Sequence, residues 1–308
     1  MVEDRRGIAY GLAAYGLWGL FPLYWRLLEP ARALEILAHR IAWSLVFVAI
    51  VVGVTRNFRR LSGLLRDRRA MGLLSAAAVL IAVNWYTYIY GVNSGRVVET
   101  ALGYFINPLV TVLLGVIVLR ERLRVAQWVA VAVAAVAVVV LAIDYGRPPW
   151  IALTLAVSFG TYGLIKKTVG NVPALDGLAI ETGVLFLPAV VVLGTYQADG
   201  SAAFGHEGAG NVALLMATGV VTAIPLLLFA AAARRVPLVS LGLLQYLAPV
   251  MQFVLGLFVF DEAMPMARWV GFILVWIGLV LFTVDQFRAW KSRKGRPDGT
   301  ALPVAASG

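Results

Sequence analysis

The chain has 308 residues, of which 61% are apolar and only 14% charged, and its mean hydropathy is +0.86. Soluble globular domains are about half apolar and a quarter charged, and apolar runs recur here from end to end, so the composition excludes a soluble protein and indicates a multi-pass membrane protein. The net charge of +10 does not indicate nucleic-acid binding, because Lys and Arg lie in short clusters between the apolar runs, as in proteins whose helices are oriented in a bilayer.

Metal and cofactor sites are restricted by the same composition. The chain has no Cys, which excludes disulfides and thiolate metal sites. It has only two histidines, His39 and His206, so a histidine-rich metal site is not expected either. The sequence therefore predicts no metal and no cofactor.

The first apolar run follows Arg5 and Arg6, where a secretory signal peptide would stand. It is too long for that role, it contains several Tyr and Trp residues, and no clear cleavage signature follows it. We therefore predict a retained first helix.

Ten membrane-spanning helices are predicted, because a helix that crosses a bilayer needs about 20 apolar residues. The spans are 7–28, 33–54, 70–94, 98–118, 125–143, 149–168, 176–196, 210–233, 238–259 and 267–287. The connections between them are short, the longest being 55–69 and 197–209, so no soluble domain is expected. The tail at 288–308 is basic and then rich in Pro, Gly and Ala, which predicts disorder.

The second predicted span carries His39 and Arg40 within its first two turns, followed by Trp43. Polar groups inside a bilayer cost several kcal/mol unless they are paired, so they are the first candidates for a function. We predict that Arg40 binds an anionic group of a substrate; the alternative is that its side chain extends to the lipid headgroups from a helix end. His39 can titrate near neutral pH and is a candidate for proton coupling, although it could equally cap or pack.

Aromatic and amide side chains predict a cavity wall. In the third span Asn84 and Tyr88 are four residues apart and share one helix face, with Trp85 beside them. Such a wall suits an amphipathic or aromatic solute, and Trp18 and Tyr24 of the first span are predicted to belong to it. The alternative is an aromatic belt at the membrane interface, which does not fit Asn84 because it falls in the middle of its span.

Proline inside a helix removes one backbone hydrogen bond and kinks the helix, and kinks at matched positions in two halves of a transporter point to its binding site. Kinks are predicted at Pro22, Pro108, Pro225 and Pro249. The polar residues just before two of these prolines are predicted to line the cavity: Tyr104, Asn107, Gln245 and Tyr246. Alternatively, Asn107 or Gln245 bonds the carbonyl groups that the prolines leave free.

A repeat with one constant offset spans almost the whole chain. Pro108, Gly115, Glu121 and Trp128 have counterparts at Pro249, Gly256, Glu262 and Trp269, and Glu35 has one at Asp176. A fixed offset indicates an ungapped duplication, covering about 8–146 and 149–287. We therefore predict a first five-helix repeat at 1–146, a second at 147–287, and the tail at 288–308.

The orientation of the helices follows from the basic residues. If the N-terminus is cytoplasmic, the inside segments carry 20 Lys and Arg residues and the outside segments carry five, which is the bias of known membrane proteins. We therefore predict that both termini are cytoplasmic, in the inner membrane of a bacterium. Because each repeat has five spans, the two repeats must be inverted, and the basic segment 120–124 indeed corresponds to the acidic segment 261–265.

The inverted repeat suggests a central pair. The counterpart of Arg40 is Glu181, and we predict that both residues face a shared cavity and pair with each other when it is empty. Glu121 and Glu262 stand at helix ends, where a structural role, bonding backbone or a loop arginine, is predicted.

Several segments resemble one family. The segments are 15–22, 35–40 with Trp43 and Ser44, and 102–109, which reads Leu-Gly-Tyr-Phe-Ile-Asn-Pro-Leu. They are similar to the RarD proteins, in the EamA branch of the drug/metabolite transporter superfamily. The resemblance covers nearly the whole chain. It implies ten helices in two inverted five-helix repeats and a small-molecule permease of the bacterial inner membrane, in a family whose members are often labelled chloramphenicol-sensitivity proteins.

The sequence thus predicts an all-α membrane protein that transports a small anionic or amphipathic solute by alternating access. It contains no ATP-binding P-loop, so energy must come from a gradient or from exchange; export is expected by family analogy alone. The predicted partners are the solute, the lipid bilayer and a coupled proton, with no nucleic acid, and the protein is a monomer or a homodimer. The alternatives are a non-transporting scaffold or sensor, and an intramembrane lipid-modifying enzyme, for which no clustered nucleophile and base are found.

Overall fold

The computed structural model describes residues 5–56, 58–120, 122–170, 172–236 and 238–294. Within these ranges the chain forms thirteen α-helices and no strand. The helices are α1 (Arg5–Gly19), α2 (Phe21–Arg26), α3 (Ala33–Thr55), α4 (Phe58–Arg66), α5 (Arg68–Asn93), α6 (Val97–Leu119), α7 (Val125–Tyr145), α8 (Trp150–Val169), α9 (Ala174–Ala198), α10 (Gly208–Ala233), α11 (Leu238–Leu244), α12 (Leu247–Phe258) and α13 (Met266–Lys294).

Eight helical segments of the described chain are long and apolar enough to cross a membrane, so the all-helical membrane fold is confirmed. They are α3, α5, α6, α7, α9, α10, the segment Ser240–Phe258 and most of α13. The two remaining predicted spans, 7–28 and 149–168, are also helical. The first of these spans is divided between α1 and α2. The second corresponds to α8, which is less apolar than a typical span because its last turn contains Lys166 and Lys167.

The interruption between α1 and α2 has a local cause. Pro22 has no N–H group and cannot donate to the carbonyl of Trp18, four residues earlier. Gln252 of α12 takes over that role, because its Nε2 donates to the Trp18 carbonyl oxygen at 3.1 Å. The structure therefore satisfies the freed carbonyl from a distant helix.

The four predicted proline kinks fall into two groups. Pro22 and Pro249 each stand in the first turn of a helix, α2 and α12, that follows an interruption. Pro108 and Pro225 lie inside α6 and α10, which remain helical on both sides of the proline. The kinks at Pro108 and Pro225 therefore stay predictions.

Helices α3 and α9 run antiparallel along each other in the centre of the bundle. Glu35, in the first turn of α3, accepts hydrogen bonds from the backbone N–H groups of Ala203 and Phe204, in the loop 199–207 that follows α9. Asp176, in the first turn of α9, binds Arg60 of α4, which follows α3. Since Glu35 and Asp176 occupy equivalent positions of the sequence repeat, equivalent carboxylates tie opposite ends of this helix pair.

Helices α7 and α13 pack mainly against each other and against α6, away from α3 and α9. Small residues of α7, such as Ala130 and Ala137, meet Phe272 and Val275 of α13 in a buried cluster. The outer faces of both helices are apolar and exposed, as a lipid-facing surface would be.

Some sequence predictions fall at or beyond the described ranges. Helix α13 continues past Arg288, where the sequence predicts disorder, and ends at Lys294. Residues 295–308 and Glu121 lie outside the described residues.

Candidate functional site

Arg40 lies inside the bundle, in the second turn of α3, and only 4% of its surface is exposed. Three aromatic rings surround its guanidinium group. The Cζ atom lies 3.9 Å from the ring centroid of Trp85, 5.2 Å from that of Trp25 and 5.7 Å from that of Phe21. A cation over the face of an aromatic ring is attracted by the ring quadrupole, so these rings stabilise the buried charge.

The rings do not neutralise the charge. Among the described residues Arg40 forms no salt bridge, and its Nε atom has no hydrogen-bond partner. A buried charge without a counter-charge is costly. A bound anion would relieve that cost, since a guanidinium group offers N–H donors that match an oxyanion.

The predicted cavity wall of the third span lies in the interior beside Arg40. Asn84 is buried, and its Nδ2 donates to the Leu155 carbonyl oxygen and to Ser158 Oγ, both at 3.0 Å. Its Oδ1 accepts from the hydroxyl of Tyr104 at 3.3 Å. Tyr88 packs edge-on against Tyr104, and no described residue bonds its buried hydroxyl. Both side chains are buried inside the bundle, which favours the cavity wall over an aromatic belt for Asn84 and Tyr88.

Glu181 is buried as well, but its partner is not Arg40. Its Oε1 accepts from Lys166 Nζ at 2.7 Å, and the hydroxyl of Tyr162 lies 3.3 Å from both carboxylate oxygens. The ion pair predicted between Arg40 and Glu181 is therefore not formed.

The antiparallel arrangement explains why the predicted pair fails. Glu35 and Gln197 line one end of a common cavity, and Trp43 and Val190 line it further along, so Arg40 is level with a residue near 192 of α9. Glu181 lies about eleven residues further from that level, which is on the order of 15 Å at the helical rise per residue. Equivalent residues of the two halves therefore lie near opposite ends of the helix pair.

The neighbours of Arg40 and of Glu181 nevertheless come from equivalent positions of the repeat. Phe21 and Trp25 contact Arg40, and their repeat counterparts Tyr162 and Lys166 bond Glu181. Sequence reasoning missed Tyr162 and Lys166 because a lysine near the end of a span is typical of the cations that orient a helix in the bilayer. The constant offset between the repeats, applied to the aromatic neighbours of Arg40, is the signal that would have found them.

His39 is adjacent to Arg40 in sequence but faces another place, because consecutive residues of a helix point about 100° apart. Its ring lies 4.6 Å from that of Phe204, centroid to centroid. Neither ring nitrogen has a hydrogen-bond partner among the described residues, although the side chain is buried. His39 and Trp43 line a cavity of about 380 Å³ between α3, α9 and the loop 199–207. His39 and Arg40 therefore contact different parts of the interior, and the role of His39 in proton coupling stays a prediction.

The other predicted site residues are spread along the bundle. Tyr24 donates from its hydroxyl to the Leu214 carbonyl oxygen at 2.6 Å, and Trp18 packs on Tyr15 and Phe229.

Tyr246 belongs to the cluster of α6, α7 and α13, away from Arg40. Asn107 and Gln245 are half-buried, and Asn107 Oδ1 has no partner in the part of the chain that is described. The structure therefore groups Asn84, Trp85, Tyr88 and Tyr104 with Arg40.

A second charged cluster lies in the connections between helices. Glu262 accepts hydrogen bonds from the backbone N–H groups of Val97 and Val98 at the start of α6, which confirms its predicted structural role. Burial raises the pKa of Glu262 to about 7, although these two donors favour the charged form. Glu99 accepts from Arg147 at 2.8 Å and from the N–H of Ile151 at the start of α8, and it raises the pKa of Arg147.

The chain is similar in sequence to known transporter proteins. The family model of the EamA-like transporter family matches residues 5–143. Protein RarD of Streptomyces exfoliatus is 54% identical to the chain over 99% of this chain and 96% of that protein. The uncharacterized transporter YojE of Bacillus subtilis is 45% identical over 94% of this chain and 97% of its own.

A solved crystal structure superposes on this chain with a TM-score of 0.57 at 20% identity, over 90% of this chain and 97% of the other. At that identity the likeness shows the fold alone.

Proposed function

We propose a function for this chain on the basis of its family: the chain belongs to the RarD family of EamA-like transporters. It is accordingly a multi-pass bacterial membrane protein of a transporter family. Our proposal is that Arg40 and the aromatic residues around it bind a small anionic, amphipathic molecule that the protein carries across the membrane. The observation that carries the proposal is the buried guanidinium group of Arg40, which has three aromatic neighbours and no acidic partner among the described residues.

The chemistry of the surroundings narrows the substrate class. A guanidinium group binds a carboxylate or a similar oxyanion through parallel N–H donors. Trp85, Tyr88 and Tyr104 supply an aromatic surface next to it, and the Tyr88 hydroxyl is available for one hydrogen bond. The substrate that fits these groups is an organic anion with an apolar or aromatic body.

The two halves support transport by alternating access. Ten spans in two inverted repeats would place equivalent groups near opposite membrane faces, as in other secondary transporters. The hydrogen bonds of Glu35 and Asp176 at opposite ends of the α3–α9 pair support this part of the proposal. A solute gradient, proton coupling or exchange then supplies the energy, and we propose export as the direction by analogy within the family.

The experiment is a thermal-shift screen of the purified full chain against amino acids, aromatic and aliphatic organic acids, and neutral amphenicols. We expect organic anions with an aromatic body to raise the melting temperature of the wild type and to have no effect on Arg40→Ala. Arg40→Lys should retain part of the shift, because an ammonium group keeps the charge but loses the paired donors.

Arg32→Ala is the matched control, since Arg32 is an exposed arginine just before α3. Its ligand shifts should equal those of the wild type. Equal stabilisation of wild type and Arg40→Ala by the same anions, or stabilisation by neutral compounds alone, would show that Arg40 does not bind the substrate.

A further inference from the structure

We propose that the cavity between α3, α9 and the loop 199–207 is a second binding site, separate from Arg40, for a neutral amphiphile that enters from the bilayer. Such a ligand has an alkyl or aryl body and one hydroxyl or amide group. The proposal does not depend on the transport function.

The cavity has a volume of about 380 Å³, enough for a small molecule. Its wall is mostly apolar, from Ala42, Val190 and Leu193 among others. Phe204 and Ala202 close one end, because the loop that carries them is held by Glu35. The cavity is therefore a formed space with a fixed end wall.

His39 supplies the polar group of the site. A neutral imidazole has one N–H donor and one nitrogen acceptor, and both nitrogens lack a partner among the described residues while the side chain is only 4% exposed. Buried polar groups are normally hydrogen-bonded, and leaving them unbonded is unfavourable. A hydroxyl or an amide can both donate and accept, so it matches the two nitrogens better than a purely apolar molecule.

The charge of the lining excludes an anionic ligand of the kind proposed for Arg40. Glu35 lines the same cavity, and its carboxylate already accepts two backbone hydrogen bonds. An anion placed beside it would be repelled, whereas a cation would find the carboxylate already bonded to backbone N–H groups. A neutral head group is the one that this wall accepts.

The cavity edge continues into an exposed apolar surface, which indicates access from the membrane. Val190 lines the cavity and is itself exposed, and Leu187 and Val191 extend that surface along α9. On α3, the exposed Val46 lies one turn beyond Ala42 and Trp43. A molecule dissolved in the bilayer would meet this edge before any polar surface.

The experiment uses the full chain in lipid nanodiscs and photolabelling with a diazirine-bearing decanol, with the matching diazirine-bearing decane as the hydrocarbon arm. Mass spectrometry maps the labelled residues. We expect the decanol to label 190–204 saturably, and unlabelled decanol to compete with it better than decane does. Labelling in His39→Leu should fall about tenfold, the loss expected for a buried hydrogen bond.

A cavity-filling variant gives an independent measurement. Gly194 lines the cavity, and a Cβ atom added there meets nothing within 4 Å, so Gly194→Phe fills the space without a backbone clash. Gly183→Phe is the matched control, because Gly183 is an exposed glycine of the same helix with equally open surroundings. Labelling of 190–204 should be lost in Gly194→Phe and unchanged in Gly183→Phe, with the melting temperature of each variant measured in parallel.

Three outcomes would overturn the proposal. They are equal labelling of 190–204 by the decane and the decanol, unchanged labelling in Gly194→Phe, and labelling confined to the exposed surface around Leu187. The competition between decanol and decane on the wild type decides the question even where a variant fails to fold.

Discussion

At the scale of single residues, Arg40 and Glu181 show how one repeated position acquires two environments. Arg40 is surrounded by the rings of Phe21, Trp25 and Trp85, whereas Glu181 is bonded by Tyr162 and Lys166. The charge in the first half is therefore left without a protein counter-ion in the described chain, and the charge in the second half is neutralised. This difference favours the first half for the proposed anion-binding role.

Breaking the pair in the second half should destabilise the protein. Removing one partner of a buried ion pair leaves a buried charge uncompensated. We expect Glu181→Ala to lower the free energy of unfolding by about 3 kcal/mol, the low end of the range for such changes, because Lys166 is 24% exposed. Melting curves of Glu181→Ala, Lys166→Met and the double variant measure the coupling.

The double variant should be more stable than Glu181→Ala, because it contains no unpaired charge at this position. Additive losses in the three variants would mean that the contact between Lys166 and Glu181 contributes nothing.

Glu262 gives a prediction about pH. Burial raises its pKa from 4.5 to about 7, so the folded protein binds this proton more tightly than the unfolded chain. The contribution of Glu262 to stability is therefore fully present below pH 4.5 and is lost as the pH rises through 7. We expect the melting temperature of the wild type to fall relative to Glu262→Gln over this range.

The glutamine variant keeps an oxygen that can accept from Val97 and Val98 and removes only the ionisation. Glu207→Gln changes an exposed glutamate and serves as the control, which should follow the wild type. A constant difference between wild type and Glu262→Gln from pH 4.5 to 8 would contradict the assignment.

At the scale of elements, the interruption between α1 and α2 depends on α12. The Trp18 carbonyl has lost its helical donor to Pro22 and receives a hydrogen bond from Gln252 instead. Gln252→Leu should lower the free energy of unfolding by about 1–2 kcal/mol, because a partly buried carbonyl is left without a protein donor. Thermal melting in detergent measures this, and Gln286→Leu, at an exposed position of α13, should have no comparable effect.

The sequence could predict most helices, because apolar length and flanking charge determine where a chain crosses a bilayer. It could also predict that Arg40, Asn84 and Tyr88 are interior, since polar groups in a span avoid lipid. It could not predict the partner of Glu181. The repeat shows that Arg40 and Glu181 are equivalent, but it does not show how far apart two antiparallel helices hold these residues along the bundle. Nor could it predict that His39 and Arg40 contact different elements, because that depends on how the neighbouring helices pack around α3.

At the scale of the whole molecule, the proposed inversion of the two halves can be tested by topology. Reporter fusions after residues 60 and 200 should report opposite sides of the membrane, with residue 60 cytoplasmic, because α4 and its flanks are rich in arginine. A pair of reporters, one active only in the cytoplasm and one only outside it, decides this. The same side for both fusions would exclude two inverted five-helix repeats.

The two ties at the ends of the α3–α9 pair differ in their sensitivity to salt. Arg60 is 48% exposed while its partner Asp176 is fully buried, so dissolved ions reach one member of that ion pair. Glu35 is held instead by backbone N–H groups in a buried position, which added salt screens much less. Ionic strength should therefore loosen the Arg60 end before the Glu35 end. Under the alternating access proposed above, a concentrated electrolyte would then favour the conformation that is open at the Arg60 end.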